Sequence, residues 1–231
     1  MKRYLLILLA FLVFPCLAIA EEEVKIALSD VTVNTDDLES IKRGAKFFAT
    51  TCMSCHTMVY LRYDKLAQEA GVSYDRMPVN VKNWPNGITP PDLSLEVDVR
   101  GADWIYTYLH SFYQDTKRPM GVNNLLVPNT AMPGIITAFQ GTQVKIEGQP
   151  PTALFHSLHW YDLLVLQKQG SLTPDQFDAT ITDLINFLSY AAHPYQAEQH
   201  ALGWWVLSFL LVLVVLSYFL KKEYWKDVKR K

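Results

Sequence analysis

The sequence predicts a mainly α chain, with one loop-rich helical domain followed by a single C-terminal transmembrane helix. Three observations predict it. Residues 201–220 form an uncharged, almost wholly apolar run, and a helix of that length spans roughly 30 Å, the thickness of a hydrocarbon core. Residues 174–192 carry an apolar stripe bounded by helix start and stop signals. Leu38, Ile41, Ala45 and Phe48 recur at a spacing that puts them on one helix face.

The elements follow in chain order. Lys2 and Arg3 form a positive segment, Tyr4 to Leu17 an apolar one, and Ala18-Ile19-Ala20 a small-x-small site followed by Glu21-Glu22-Glu23. This is the pattern of a cleaved signal peptide over residues 1–20, with a mature N-terminus at Glu21. The apolar run is short for a membrane anchor, and Val13-Phe14-Pro15 is too bulky to make Cys16 a lipid-attachment site. Residues 21–200 are then expected to be one domain outside the bacterial inner membrane. A first helix through Leu38–Phe48 runs into Cys52-Met53-Ser54-Cys55-His56. An aromatic-rich helix is expected over Asp103–Asp115. Residues 77–92 and 119–151, rich in Pro, Gly and Asn, are expected to be long loops. Thr173 is the N-cap of the clearest helix, Pro174 its first residue and Gln176 the partner in a capping box. Phe177, Ile181, Leu184, Ile185 and Leu188 form its stripe, and His193-Pro194 ends it at Ala192.

The anchor over 201–220 is flanked by Trp204 and Trp205 at one end and by Tyr218, Tyr224 and Trp225 at the other, as interfacial aromatics sit. Residues 221–231 carry Lys221, Lys222, Lys226, Lys229, Arg230 and Lys231 against Glu223 and Asp227, so the positive-inside rule makes this tail cytoplasmic. The span holds no ionisable residue, so it reads as an anchor and not an ion pathway.

Cys52, Cys55 and His56 carry the chemistry. Two thiols one helical turn apart can add across the two vinyl groups of one porphyrin edge, and the next residue brings an imidazole under the iron. One covalently bound haem c is expected, with His56 as proximal ligand. A redox dithiol would need a strand–helix context, and zinc a second Cys or His pair at short spacing. The pattern supplies neither. Of three cysteines, Cys16 falls in the export segment, so the mature chain keeps no thiol for a structural disulfide. Long loops in a compact domain need a reason, and wrapping a flat apolar cofactor is a sufficient one.

An electron carrier keeps its iron six-coordinate, and a thioether on the distal side raises the potential. Met53 is trapped between the thiols and Met58 follows His56 too closely. Met77, Met120 and Met132 remain, each beside a proline. Met132, in Ala131-Met132-Pro133-Gly134 after the long loop, is the first choice among them, although core filling is the usual role of a methionine. His110, His156, His159, His193 and His200 are rival ligands. His193 and His200 fall near the membrane end, and His156 and His159 are expected to make ordinary polar contacts.

The chain has 21 Lys+Arg and 23 Asp+Glu. Eight of those basic residues and two of the acidic ones fall in the export segment and the tail, which leaves residues 21–200 at a formal −8. Such a field steers cationic partners. No nucleic-acid partner is expected.

The residues around the motif resemble the cytochrome c1 family, the haem subunit of ubiquinol–cytochrome c reductase. The resemblance covers most of the mature chain. It includes Arg43-Gly44 before the motif and Tyr60-x-Arg62-Tyr63 after it, then Asn86-Gly87 with Pro90-Pro91-Asp92-Leu93-Ser94 and Ala131-Met132-Pro133. It ends with Phe187-Leu188 and Ala191-Ala192-x-Pro194 ahead of the anchor. It implies a cytochrome c-like haem domain with Met132 as distal ligand, Pro91 packed near the haem and Asn86 in the same loop. It also implies that Arg100 pairs with a haem propionate, a task that suits a bidentate guanidinium. Trp104 stands where the family often has a tyrosine, and the loop between Met120 and Met132 is shorter than in mitochondrial members.

By the same resemblance, electrons would come from a Rieske iron–sulfur protein and go to a soluble cytochrome c. A cytochrome b subunit, the membrane and a dimeric complex complete the setting. The redox chemistry would be the haem's, with no bond made or broken by the polypeptide. The alternatives are an anchored shuttle serving a terminal oxidase and a haem-based gas sensor, which needs an output domain longer than this tail.

Overall fold

The computed structural model describes residues 26–78, 84, 87–146 and 158–228. The expected signal peptide, Asn86, His156 and the last three tail residues lie outside the described residues.

Helix α1 spans Leu38–Phe47 and starts at Asp37, whose carboxylate accepts the Ser40 N–H at 3.0 Å, satisfying a donor that the first turn leaves free. Ile41, Ala45 and Phe48 are fully buried, as their spacing requires. Leu38 is not. It stays 54% exposed, because the helix meets its neighbour only from Ser40 onward. Past Phe47 the helix widens into one π-helical turn, Phe48–Cys52, closed by Met53 N–H to the Phe48 carbonyl at 2.9 Å. That turn delivers the chain to Cys55 and His56.

The neighbour is the long capped helix over Pro174–Ala192, which has the expected bounds, the Thr173–Gln176 capping box and the terminating His193. All five expected stripe residues are buried. This helix and α1 cross at Gly44, where an added Cβ would overlap the Asp183 carbonyl oxygen and lie 2.9 Å from Phe187 Cβ. Polar groups along the seam are paired. The Arg43 guanidinium donates to both Asp183 oxygens at 2.6 and 2.8 Å, the Ser40 hydroxyl donates to Asp183 at 2.6 Å, and the Asn186 amide donates to Ser40 Oγ at 2.8 Å. Asn186 Oδ1 accepts the Asn34 N–H at 2.8 Å and so ties down the segment ahead of α1.

Between these two helices come α2 (Lys65–Glu69), α3 (Glu96–Arg100) and α4 (Ala102–His110). The aromatic helix therefore ends at His110 and not at Asp115. Its expected last turns are instead strand β1 (Phe112–Gln114), antiparallel to β2 (Val122–Asn124), with Phe112 opposite Asn124 and Gln114 opposite Val122. Strand pairing wins there because the chain reverses on itself. Arg118 N–H bonds the Asp115 carbonyl at 3.1 Å, Gly121 N–H bonds the Arg118 carbonyl at 3.0 Å, and Gly121 takes φ +71°, open to glycine without a side-chain clash.

The expected loop over 119–151 is likewise interrupted. It holds β2, α5 (Thr137–Gln140) and β3 (Gly141–Lys145). Strand β3 pairs antiparallel with β4 (Leu164–Gln169), which follows α6 (Trp160–Leu163). The long helix over Pro174–Ala192 is α7. The main core gathers Ile41, Ala45 and Phe48 with Ile105 and Leu109 of α4 and the α7 stripe. A smaller cluster of Ile26, Tyr113, Leu125, Leu163 and Leu164 lies under the strand pairs.

The last helix, α8, runs Gln196–Val228, beyond the expected 201–220 at both ends. Its stretch Leu202–Lys226 is long and apolar enough to cross a membrane, with mean hydropathy 2.2 and no part of that window buried.

The close crossing makes a direct prediction. Gly44→Ala should destabilise the folded domain by about 1–3 kcal/mol through overpacking, read as a lowered urea midpoint in detergent. Lys46→Ala, on the exposed side of α1, should leave the midpoint unchanged.

Candidate haem site

Cys52, Cys55 and His56 occupy one tight turn. Cys55 and His56 both direct their N–H groups at the Cys52 carbonyl, at 3.0 and 2.9 Å. Cys52 is buried and Cys55 partly so, and the two form no disulfide. Burial pushes the Cys52 thiol up to about 12, with a further push from Cys55. A thiol-exchange motif needs the opposite, an exposed thiol with a depressed pKa. Among the described residues no group of three or more His, Cys, Asp or Glu is placed to hold a metal ion, so the zinc reading finds no further ligands there.

His56 is the best-defined group. Its Nδ1 lies 2.8 Å from the Pro91 carbonyl oxygen, which can only accept, so Nδ1 carries the proton and Nε2 keeps its lone pair. Burial lowers the His56 pKa, against the Pro91 carbonyl, Glu96 and Asp92, which raise it. A neutral imidazole of fixed tautomer is what an iron-ligating histidine requires.

Pro91 is held in turn by Asp92, to which the sequence reading gave no role beyond its place in the Pro-Pro-Asp-Leu-Ser block. One Asp92 oxygen accepts the Thr57 hydroxyl at 2.6 Å and the Val59 N–H at 3.0 Å. The other accepts the Ser94 N–H at 2.9 Å. Leu93 N–H adds a bond to the Thr57 carbonyl at 2.9 Å. These bonds stitch the Pro-Pro-Asp-Leu-Ser loop to the chain just after His56. The block marked the family resemblance, but an acid between prolines and a serine is also a common local turn pattern, so it gave no sign of these bonds.

The candidate distal ligands separate. Met77 is 5% exposed and its Sδ accepts the Met58 N–H at 3.3 Å, so it fills the core. Met120 is 40% exposed. Met132 is half-buried and packs on the same apolar cluster as Cys52. A cavity of about 180 Å³ opens beside Thr130 and Ala131, with Ile88 contributed by the first long loop, Met120 and Val122 by the second, and Arg118 by the turn just before it. The two loops expected to wrap a cofactor thus border one space. Arg118 Nε is buried at that wall without a hydrogen-bond partner among the described residues, while its Nη2 donates to the Asn129 carbonyl at 3.1 Å. A carboxylate at the wall would satisfy it, although none of Cys52, Cys55, His56 and Met132 lines this cavity; the fit to a haem rests on the donor set, two thiols and a tautomer-fixed imidazole in one turn. Sequence reasoning missed Arg118, which no motif marks.

Arg100, in the last turn of α3, is half-exposed. Its guanidinium lies 4.7 Å from the centre of the Trp104 ring, and its Nε 3.4 Å from Glu96. The other histidines lie elsewhere. His110 is buried among Tyr106, Trp160 and Phe177 and donates Nδ1–H to the Tyr106 carbonyl at 2.8 Å. His159 caps α6, as the expected polar contact. His193 bonds Asp98 at 2.9 Å, and His200 lies in α8.

Asp92 yields a pH prediction. Burial raises its pKa, but bonds from Ser94, Thr57 and Val59 outweigh that and leave it below the ordinary 3.8. A depressed carboxylate stabilises the fold fully above the ordinary value, and that share is lost as pH falls through the lower folded value. Asp92→Asn should cost about 1–3 kcal/mol at pH 7. Denaturant titrations of both proteins from pH 7 to pH 3 should show the gap closing at the acid end.

Comparison with known proteins identifies the lineage. The model of the family described as "Cytochrome C1 family" matches residues 29–84 and 75–228. The chain is similar to cytochrome c1 of Allochromatium vinosum, 37% identical over 87% of this chain and 89% of that protein. It is also similar to the ammonia monooxygenase gamma subunit of Nitrosomonas europaea, 34% identical over 99% of this chain and 100% of that protein. Mitochondrial cytochrome c1 heme protein of Neurospora crassa is 26% identical over 85% of this chain and 65% of that protein. Matches of this extent show that the chain belongs to the cytochrome c1 family.

Proposed function

We propose that this chain is the haem-bearing electron-transfer subunit of a ubiquinol–cytochrome c reductase. The observation that carries the reading is the Cys52–Cys55–His56 turn with His56 Nδ1–H held by the Pro91 carbonyl at 2.8 Å. In this reading Cys52 and Cys55 bind one haem c covalently, and His56 and Met132 ligate the iron. Arg100 takes a propionate, with Pro91 and Asn86 in the loop beside it. The haem supplies one-electron redox chemistry when bound. The polypeptide does the rest. Pro91 fixes the His56 tautomer, the apolar cluster around Cys52 and Met132 excludes water, and guanidinium groups offset carboxylate charge.

Residues 1–20 are the signal peptide in this proposal, 21–200 the periplasmic domain, 201–220 the anchor in the inner membrane and 221–231 the cytoplasmic tail. The partners are a cytochrome b subunit, a Rieske iron–sulfur protein as donor and a soluble cytochrome c as acceptor, within a dimeric complex. The formal −8 of residues 21–200 suits a basic acceptor.

One observation favours a second reading. The relative named as an ammonia monooxygenase gamma subunit matches over its whole length, which would make this chain a redox subunit of a monooxygenase. Affinity purification of the full chain from detergent-solubilised membranes separates the two. The reductase reading expects a b-type cytochrome and a Rieske protein at one-to-one stoichiometry. Recovery of monooxygenase subunits without them would overturn it.

The cofactor assignment has its own test. Acid–acetone extraction should leave haem on the polypeptide, and Cys52→Ala combined with Cys55→Ala should release it. Met132→His should lower the reduction potential and abolish the far-red sulfur-to-iron band of the oxidised protein. Met77→Leu and Met120→Leu should keep that band.

A further inference from the structure

Met132 does not stand alone in its loop. Its N–H donates to Thr130 Oγ1 at 3.3 Å, and Thr130 Oγ1 shares a 2.8 Å hydrogen bond with the Tyr108 hydroxyl. Tyr108 is itself immobilised. Its ring stacks on Trp104 at 5.2 Å and 11°, and Phe112 meets it edge-on at 5.1 Å. Trp104 in turn lies under the Arg100 guanidinium at 4.7 Å. Arg100, Trp104, Tyr108 and Phe112 are four residues apart, so they form one continuous ladder along α4 and its flanks. The rest of the loop is pinned from the same side. Asn124 Nδ2 donates to the Tyr108 carbonyl at 2.8 Å, and Asn124 Oδ1 accepts the Leu126 and Val127 N–H groups at 2.9 and 3.1 Å. No cysteine lies between His56 and the end of the chain, so no disulfide can fasten this loop.

We propose that Tyr108 is a positioning residue for Met132. Its hydroxyl fixes the Thr130 side chain, and Thr130 Oγ1 fixes the backbone of the residue that carries the thioether. The proposal deepens the distal-ligand reading and rests on it. Tyr108 touches no reacting atom. It acts by restricting the loop, so that the thioether pays less conformational entropy when it ligates. The burial that seals this hydroxyl against Thr130 also pushes the Tyr108 pKa up to about 12, so the bond is unchanged across the physiological range.

The experiment uses the full haem-loaded chain in detergent. Imidazole is titrated into the oxidised protein, where it must displace the distal ligand to bind. One lost hydrogen bond corresponds to about a fivefold change in an equilibrium. Tyr108→Phe and Thr130→Val should each lower the apparent Kd for imidazole about fivefold and lower the reduction potential. Thr130→Ser should restore both values. The double variant Tyr108→Phe/Thr130→Val should match Thr130→Val alone, because both act through one path. Tyr108→Phe with wild-type imidazole affinity and potential would overturn the proposal, even if its thermal stability fell. Met132→Leu is the control on the underlying reading. If the far-red band survives that change, the distal ligand is another residue and the failure lies there.

Discussion

The backbones of α1 and α7 touch at Gly44, and the site depends on that contact. With no side chain between them, the Asp183 carbonyl sits against the α1 backbone and Phe187 reaches Phe48 at 5.7 Å between ring centres. The approach buries Ile41, Ala45, Phe48, Ile181, Leu184, Ile185 and Phe187 together. Each large side chain contributes about 1.5–3 kcal/mol. The visible ion pair at the crossing contributes far less, because Arg43 is 59% exposed and such pairs give about 1 kcal/mol or under. Apolar contact therefore fixes where α1 ends, and α1 ends at the thiols. The π-helical turn over Phe48–Cys52 is the hand-off between the two, a place where widened turns often serve function.

From that fixed end the site is assembled by hydrogen bonds between segments far apart in sequence. His56 reaches Pro91, Thr57 and Val59 reach Asp92, and Tyr60 N–H reaches Ser94 Oγ at 3.2 Å. Irregular chain has backbone donors with no ladder to satisfy them. Asp92 takes three donors at once and does for this loop what a helix or strand would do elsewhere. Asn123 and Asn124 play the same part for the second loop. Asn123 Oδ1 accepts the Asn129 N–H at 2.8 Å, where Asn129 takes φ +64°. Asparagine tolerates this left-handed conformation better than most residues. Rigid loops suit electron transfer, in which the polypeptide's task is to keep ligation and surroundings the same in both redox states.

The surface charges divide the labour differently. Among the described residues Arg118 keeps a buried Nε without a partner, and Arg100, half-exposed, rests on Trp104 with its Nε 3.4 Å from Glu96. In the proposed reading these are the cations that would meet the haem carboxylates. Residues 21–200 as a whole carry a formal −8. A site whose local charge opposes that of its surroundings can hold an anionic cofactor edge while the wider field attracts a cationic partner.

The sequence by itself determined the elements whose information is local. The α7 helix kept its cap, its capping box, its stripe and its stop, because 3.6-residue periodicity and capping are properties of contiguous residues. The membrane-length helix and the Cys-x-x-Cys-His turn were legible for the same reason. Leu38, the end of α4 and the strands β1 to β4 were not. Phe112 has the pattern of a helix and becomes a strand because Asn124 lies opposite it, and two three-residue strands leave no period to read. In the site, Cys52, Cys55 and His56 announce themselves by spacing, and Met132 only by elimination and resemblance. Arg118, Thr130 and Tyr108 carry no motif, and Asp92 sits in one that gives it no role. Their roles exist only once residues tens of positions apart have been brought within 3 Å or so of one another, and loop closure of that kind is decided by the packing of the whole core and not by any local run of residues.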